Sequence, residues 1–257
     1  YNNYRNKKHS TCYQQFICIT SLYHLCYWYN ITISWFKNIF LITKKKLFLW
    51  GNNKTMRIKP PRLIRRLFPE MIWSIEDNEG LYLTFDDGPT PGVTEWILNT
   101  LDRYNAKATF FVLGKNVELY PDLYDMILKR GHKVGNHTYS HQKGWRMSVE
   151  RYIEDVDLAG DMVHSELFRP PYAQITPSQL RAIAQRYHVV MWNVLSRDYN
   201  RHLSPKKCLR GTIKGLRGGD IISLHDSAKS FRNTSYVLPA LLRKAREMGL
   251  ECKILEL

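Results

Sequence analysis

From residue 80 to the C-terminus, short apolar runs alternate with stretches in which apolar residues recur every three to four positions. Runs of the first kind cover 81–85, 108–112, 133–135, 167–169, 188–194, 220–224 and 252–255, and their length and β-branched or aromatic content predict buried strands. Stretches of the second kind predict helices. Trp96, Ile97, Leu101 and Tyr104 set a helical period over 93–104, and 121–130 forms a helix stopped at Gly131. Further helices are expected over 148–166, from Thr176 as N-cap with Pro177 at the first turn through 185, from Ser204-Pro205 onward, and over 233–248 up to Gly249. Strands separated by helices in this rhythm predict an α/β fold with a parallel β/α barrel, in one domain over 80–257. Active residues in such barrels gather at the carboxyl ends of strands. Residues 56–79, with Pro60-Pro61 and a basic stretch over 62–68, are expected to be a lead-in.

The first 55 residues have a different character. They contain no Asp or Glu, eight of the 38 Lys and Arg residues, 13 of the 33 aromatics, and Cys12, Cys18 and Cys26. Three readings compete. The apolar stretch 16–43, flanked by Lys44, Lys45 and Lys46, suggests a membrane anchor, but His24, Asn30, Lys37 and Asn38 interrupt it. A secretory signal wants a compact apolar core and a small-residue cleavage site, and neither is clear. The expectation is therefore a non-native or disordered leader translated from upstream, with Met56 as the start. Contact with a membrane is expected only if the leader is an anchor.

Removing this segment changes the meaning of the formal charge of +15. Beyond it stand 30 basic against 23 acidic residues in scattered pairs, with no groove-reading motif, so nucleic acid is not an expected partner. Cys208 and Cys252 are too few for a disulfide framework or a zinc-thiolate site. A monomer is expected.

Five segments at predicted strand ends carry chemistry. Asp86 and Asp87 are adjacent carboxylates, costly together unless a cation neutralises one, and Gly88 and Pro89 turn the chain sharply behind them. His137 and His141 lie four apart and would face the same way on a helix, a two-point grip for a metal. With one carboxylate they give a facial site with open positions. Arg169 precedes Pro170, Pro171 and Tyr172, a stiff run that sets the directions of a guanidinium suited to a carboxylate. Asp198 and Tyr199 end an apolar strand, and His225, followed by Asp226, ends another. Each segment alone has a bland reading as turn, surface loop or satisfied structural histidine.

In this order the five segments resemble the polysaccharide deacetylase (NodB-homology) family, carbohydrate esterase family four, from about residue 80 to the C-terminus. The resemblance implies a distorted β/α barrel with one divalent metal, zinc or a neighbouring transition metal such as cobalt. It implies that Asp87, His137 and His141 ligate the metal and that Asp86 is the general base. Arg169 would tether that base, the backbone around Tyr172 would help hold an oxyanion, and Asp198 would tune His225 as general acid. The implied activity is removal of N-acetyl groups from peptidoglycan, a chitin-like oligosaccharide or an exopolysaccharide. An O-acetyl esterase and an inactive carbohydrate-binding relative are the alternatives. The implied location is the bacterial cell envelope, whereas a start at Met56 would imply the cytoplasm. The sequence departs from the family pattern at Ala173 (Gly in the family), Leu195 (Asp), Tyr199 (Trp) and Ser223 (a Leu lining the acetyl pocket). Those departures bear on substrate fit, with Tyr172, Tyr199 and Ser223 expected to touch substrate.

Overall fold

The computed structural model describes residues 66–257, so the leader expectations lie outside the described residues. The nine short strands among the described residues are all parallel. They are β1 (Met71–Ile72), β2 (Gly80–Asp86), β3 (Thr109–Val112), β4 (Lys133–Asn136), β5 (Leu167–Phe168), β6 (His188–Val190), β7 (Val194–Leu195), β8 (Ile221–His225) and β9 (Glu251–Cys252). The ladder runs β1-β6-β5-β4-β3-β2-β8-β7, with β9 added beside β2. Its two ends, β1 and β7, are not paired with each other, so the expected barrel distortion takes the form of an open ring. The helices are α1 (Val93–Arg103), α2 (Gly114–Leu119), α3 (Pro121–Lys129), α4 (Val149–Gly160), α5 (Pro177–Ile183), α6 (Pro205–Ile213) and α7 (Phe231–Glu247).

Strand β2 is buried along its whole length, as a strand with packing on both faces must be. The side-chain period of two then divides it. Leu81, Leu83 and Phe85 join the cluster formed with Ile97, Leu98 and Leu101 of α1 and Leu238 and Leu241 of α7. The alternate positions, Tyr82, Thr84 and Asp86, face the other way, and Tyr82 packs there with Phe111, Leu167, Val190, Ile221 and Leu255. On β8 the same alternation sends Ile222 and Leu224 to the helices. Register places Thr84 opposite Ser223 and Asp86 opposite His225. Four polar side chains are thus stacked on the inner face, two per strand, with Asp86 and His225 at the carboxyl end.

Several expected elements change on inspection. The run 188–194 is two strands, not one. β6 lies between β1 and β5, and the chain leaves the ladder at Met191–Asn193 before β7 pairs with β8 on its far side. Asn193 makes that departure affordable by pairing its amide with Asp220 Oδ1 (2.8 Å) and accepting from the Ile221 amide (2.9 Å). The helix expected over 148–166 ends at Gly160, and α2 and β1 were not foreseen. His137 and His141 do not sit on a helix. Thr138 and His141 have φ of 66° and 58°, which no right-handed helix admits.

Candidate active site

Every charged residue singled out from the sequence lies at the carboxyl end of the parallel strands. Asp86 closes β2, and Asp87 follows at φ 82°, a left-handed conformation that Asp tolerates better than most residues. The next residue must be glycine, because a Cβ on Gly88 would collide with the Asp226 carboxylate. His137 follows β4 directly. The loop that bends His141 back beside it is held by two local bonds, the Thr138 amide to Asn136 Oδ1 (2.8 Å) and the His141 amide to Thr138 Oγ1 (3.1 Å). His141 Nε2 ends 3.0 Å from Asp87 Oδ1, and His137 Nε2 3.7 Å from the same oxygen.

These three side chains offer one donor atom each within 4.8 Å of one another. Two imidazoles and a carboxylate suit zinc and neighbouring transition metals. His137 also has the tautomer a ligand needs. Its Nδ1 donates to the Arg169 carbonyl at 2.7 Å, leaving the Nε2 lone pair directed at Asp87. Burial lowers its pKa to about 4, so the ring is neutral. Burial alone would raise the Asp87 carboxyl, but the bond to His141 and the nearby imidazoles outweigh it and hold Asp87 well below the carboxylate range. The residues fit a divalent cation.

Two ion pairs flank this cluster. Arg169, which follows β5, is completely buried beneath the site. Its Nη1 donates to Asp86 Oδ1 (2.6 Å) and Thr84 Oγ1 (2.7 Å), its Nε to the Val190 carbonyl (3.1 Å) and its Nη2 to the Met191 carbonyl (3.0 Å). The guanidinium lies 3.9 Å from the Phe111 ring centre. A buried charge needs such complete pairing, and losing one partner of such a pair typically costs about 3–5 kcal/mol. In the second pair, His225 Nδ1 lies 2.7 Å from Asp198 Oδ1 while the His225 amide donates to Asp198 Oδ2 (2.8 Å). Thr234 Oγ1 and the Tyr199 amide complete the carboxylate's shell at 2.7 and 3.0 Å. Burial works against an imidazolium here, yet Asp198, with Asp87 and Asp86 farther off, pushes the His225 pKa up to about 9.

Residues 75–192 match the sequence model of the polysaccharide deacetylase family. A peptidoglycan-N-acetylglucosamine deacetylase of Bacillus cereus is 32% identical over 187 residues, covering 69% of this chain and 87% of the relative. The chain belongs to the polysaccharide deacetylase family. The peptidoglycan-N-acetylmuramic acid deacetylase PdaC of Bacillus subtilis is 31% identical over 209 residues, 78% of this chain, which spans 43% of that longer protein. The crystal structure of the Bc1960 peptidoglycan N-acetylglucosamine deacetylase, in complex with 4-naphthalen-1-yl-N-oxidanyl-benzamide, superposes with a TM-score of 0.71. It is 26% identical, with 77% of this chain and 95% of that one covered.

The rim of this deacetylase-family site is aromatic. Tyr172 is 54% exposed, its ring 4.6 Å from that of His141 with Lys143 Nζ 4.9 Å from its centre. Tyr199 stands edge-on to His225 at 5.0 Å, with Lys229 Nζ 5.8 Å from its centre. Ser223 does not join them. It is 1% exposed, which leaves it almost no surface for a pocket wall, because β8 turns it to the inner face, where its hydroxyl donates to Asp86 Oδ2 at 3.1 Å.

Backbone strain marks the same loops. Among the described residues, six of the seven non-glycine residues with positive φ (Asp87, Thr138, His141, Tyr172, Ala173 and Arg197) lie in the segments that carry the site. Strain of this kind survives where surrounding structure overdetermines it. Asp226, next to His225, also belongs to these surroundings. Its amide donates to the Asp86 carbonyl (3.1 Å), and its Oδ2 accepts from Thr94 Oγ1 (2.8 Å), which in turn accepts from the Thr90 amide (2.8 Å). Burial raises its carboxyl to about 7. Asn116, on the unforeseen α2, donates to the Asp87 carbonyl at 2.8 Å. A single sequence offers no signal for either, since both act through contacts made between distant segments.

Proposed function

We propose that this chain hydrolyses N-acetyl groups from an acetylated polysaccharide, with Asp87, His137 and His141 holding one divalent metal, zinc first and cobalt or another transition metal next. The observation that carries this reading is the convergence, at one set of strand ends, of a three-donor cluster, an Arg-tethered carboxylate and an Asp-paired imidazole. The cation's contribution, when bound, is to polarise the acetyl carbonyl and make water more acidic.

The protein's own groups do the rest. Asp86 takes the proton of the attacking water while Arg169 keeps its carboxylate from rotating. The backbone around Tyr172 supplies an N–H toward the developing oxyanion. His225, its Nδ1 committed to Asp198, delivers a proton from Nε2 to the amide nitrogen as the C–N bond breaks. The products are acetate and a free sugar amine. An amide needs that acid, because an unprotonated amine is a very poor leaving group. Tyr172 and Tyr199 form stacking surfaces for sugar rings on either side of the reacting group.

The substrate we propose is peptidoglycan, given that the relatives above are named as peptidoglycan deacetylases, and the place of action is the bacterial cell envelope. Among the described residues no helix is long and apolar enough to cross a membrane. The test is acetate release from peptidoglycan, N-acetylchitooligosaccharide and O-acetylated xylan by the metal-loaded protein, and by the same protein stripped with a chelator. Metal-dependent release from peptidoglycan above the other two supports the reading. Release only from the O-acetyl ester, or release that survives stripping, contradicts it.

A further inference from the structure

Asp86 is gripped at both oxygens, by one side chain that follows β5 and one on β8. Arg169 Nη1 holds Oδ1 at 2.6 Å, and the Ser223 hydroxyl holds Oδ2 at 3.1 Å. Any rotation of the carboxylate about its Cβ–Cγ bond breaks both contacts, whereas a carboxylate held at one oxygen can pivot about that point. We propose that Ser223 is a positioning residue for the reaction, fixing the Asp86 carboxylate so that the remaining lone pair of Oδ2 faces the attacking water. This rests on Asp86 being the general base.

Three observations support it. Ser223 is buried on β8 directly opposite Thr84, whose own hydroxyl accepts from Arg169 at 2.7 Å and donates to the Ile222 carbonyl at 2.8 Å. Thr84, Arg169, Asp86 and Ser223 are therefore linked in one polar network that ties β2 to β8 through the residue after β5. The direction of the serine bond is also fixed, because an ionised carboxylate only accepts and the hydroxyl must donate. Finally, the backbone of Ser223 has little freedom to move away, since its carbonyl accepts from the Ser196 amide (3.1 Å) while Leu195 flanks it in register. The leucine that the family pattern places here has no donor, so the second grip on the base belongs to this chain and to relatives with a hydroxyl at the position.

The test compares Ser223→Ala, Ser223→Val and Ser223→Thr with Asp86→Asn, all full-length and zinc-loaded, with kcat and KM measured for acetate release from N-acetylchitooligosaccharide. Threonine and valine have nearly the same shape, so their difference reports the hydroxyl and not the packing. A hydrogen bond to a charged group is typically worth enough to change a rate about 10- to 100-fold. The expected result is that kcat falls by about that factor in the Ala and Val variants, with KM and zinc content unchanged, and is restored in the Thr variant. Equal kcat in the Val and Thr variants overturns the proposal, as does a rise in KM at constant kcat, which would return Ser223 to a pocket wall. Asp86→Asn separates the two levels. If it is inactive while all three Ser223 variants turn over like wild type, the base stands and the positioning role falls. If Asp86→Asn itself retains full turnover, the base assignment falls first.

Discussion

Single residues in this site are held in conformations they would not choose alone. Ala173 is the simplest case, at φ 56° where the family pattern has glycine. An L-residue in the left-handed region costs about 1–2 kcal/mol, and glycine returns part of that as unfolded-state entropy. Ala173→Gly should therefore stabilise the protein by about 0.5–1 kcal/mol, read as a rise of about 1–4 °C in the thermal midpoint. His225 shows how charge sets a proton's availability. Its raised pKa means that the acid form exists below about pH 9 and is lost above it. A bound cation nearby lowers that value. The pH profile of kcat/KM should fall on the alkaline side as this proton leaves, and Asp198→Asn should move that fall to lower pH, toward the ordinary histidine value of about 6.5. A profile unmoved by Asp198→Asn would remove Asp198 from that role.

Elements place these residues, and much of that placement was legible before any coordinates. Seven apolar runs and six helical stretches had the right order, because burial on both faces of a parallel strand and on one face of a helix leaves different periods in the sequence. The break between β6 and β7 was hidden, since Val190, Met191 and Trp192 continue an apolar run whose backbone turns out of the ladder. The carbonyls of Val190 and Met191 are the ones Arg169 binds, so the break serves the buried guanidinium. The two histidines are neighbours, as their spacing would make them on a helix, but a strained loop brings them together instead. Spacing alone cannot tell a helix turn from a strained loop. That loop is steadied from α5. There Thr176 and Gln179 form a reciprocal cap, and the buried Gln179 amide donates to the carbonyls of Gly144 (2.9 Å) and Met147 (3.3 Å) downstream of His141. Gln179→Ala removes those two bonds and one half of the reciprocal cap, a loss of about 2–3 kcal/mol. A lower urea midpoint of that size checks it, and a midpoint within error of wild type contradicts the bracing role.

At the scale of the whole molecule, the parallel ring works by putting residues from distant segments at one end. Asp86 closes the second strand and Asp87 follows it, His137 follows the fourth, Arg169 the fifth, Asp198 the seventh, and His225 closes the eighth. The same alternation that buries Leu83 and Phe85 against the helices turns Thr84, Asp86, Ser223 and His225 inward, so fold and site are products of one pattern. On the function proposed here the two adjacent carboxylates have separate tasks, Asp87 holding metal and Asp86 moving a proton. Their surroundings already differ, one facing His137 and His141 and the other tied to Arg169 and Ser223. Metal content beside acetate release on Asp86→Asn and Asp87→Ala separates those tasks. The Asp87 variant should lose its metal. The Asp86 variant should keep its metal while turnover falls by about 10²–10⁴-fold, the usual worth of a general base. Loss of metal from the Asp86 variant, with the Asp87 variant still loaded and active, would reverse the two roles.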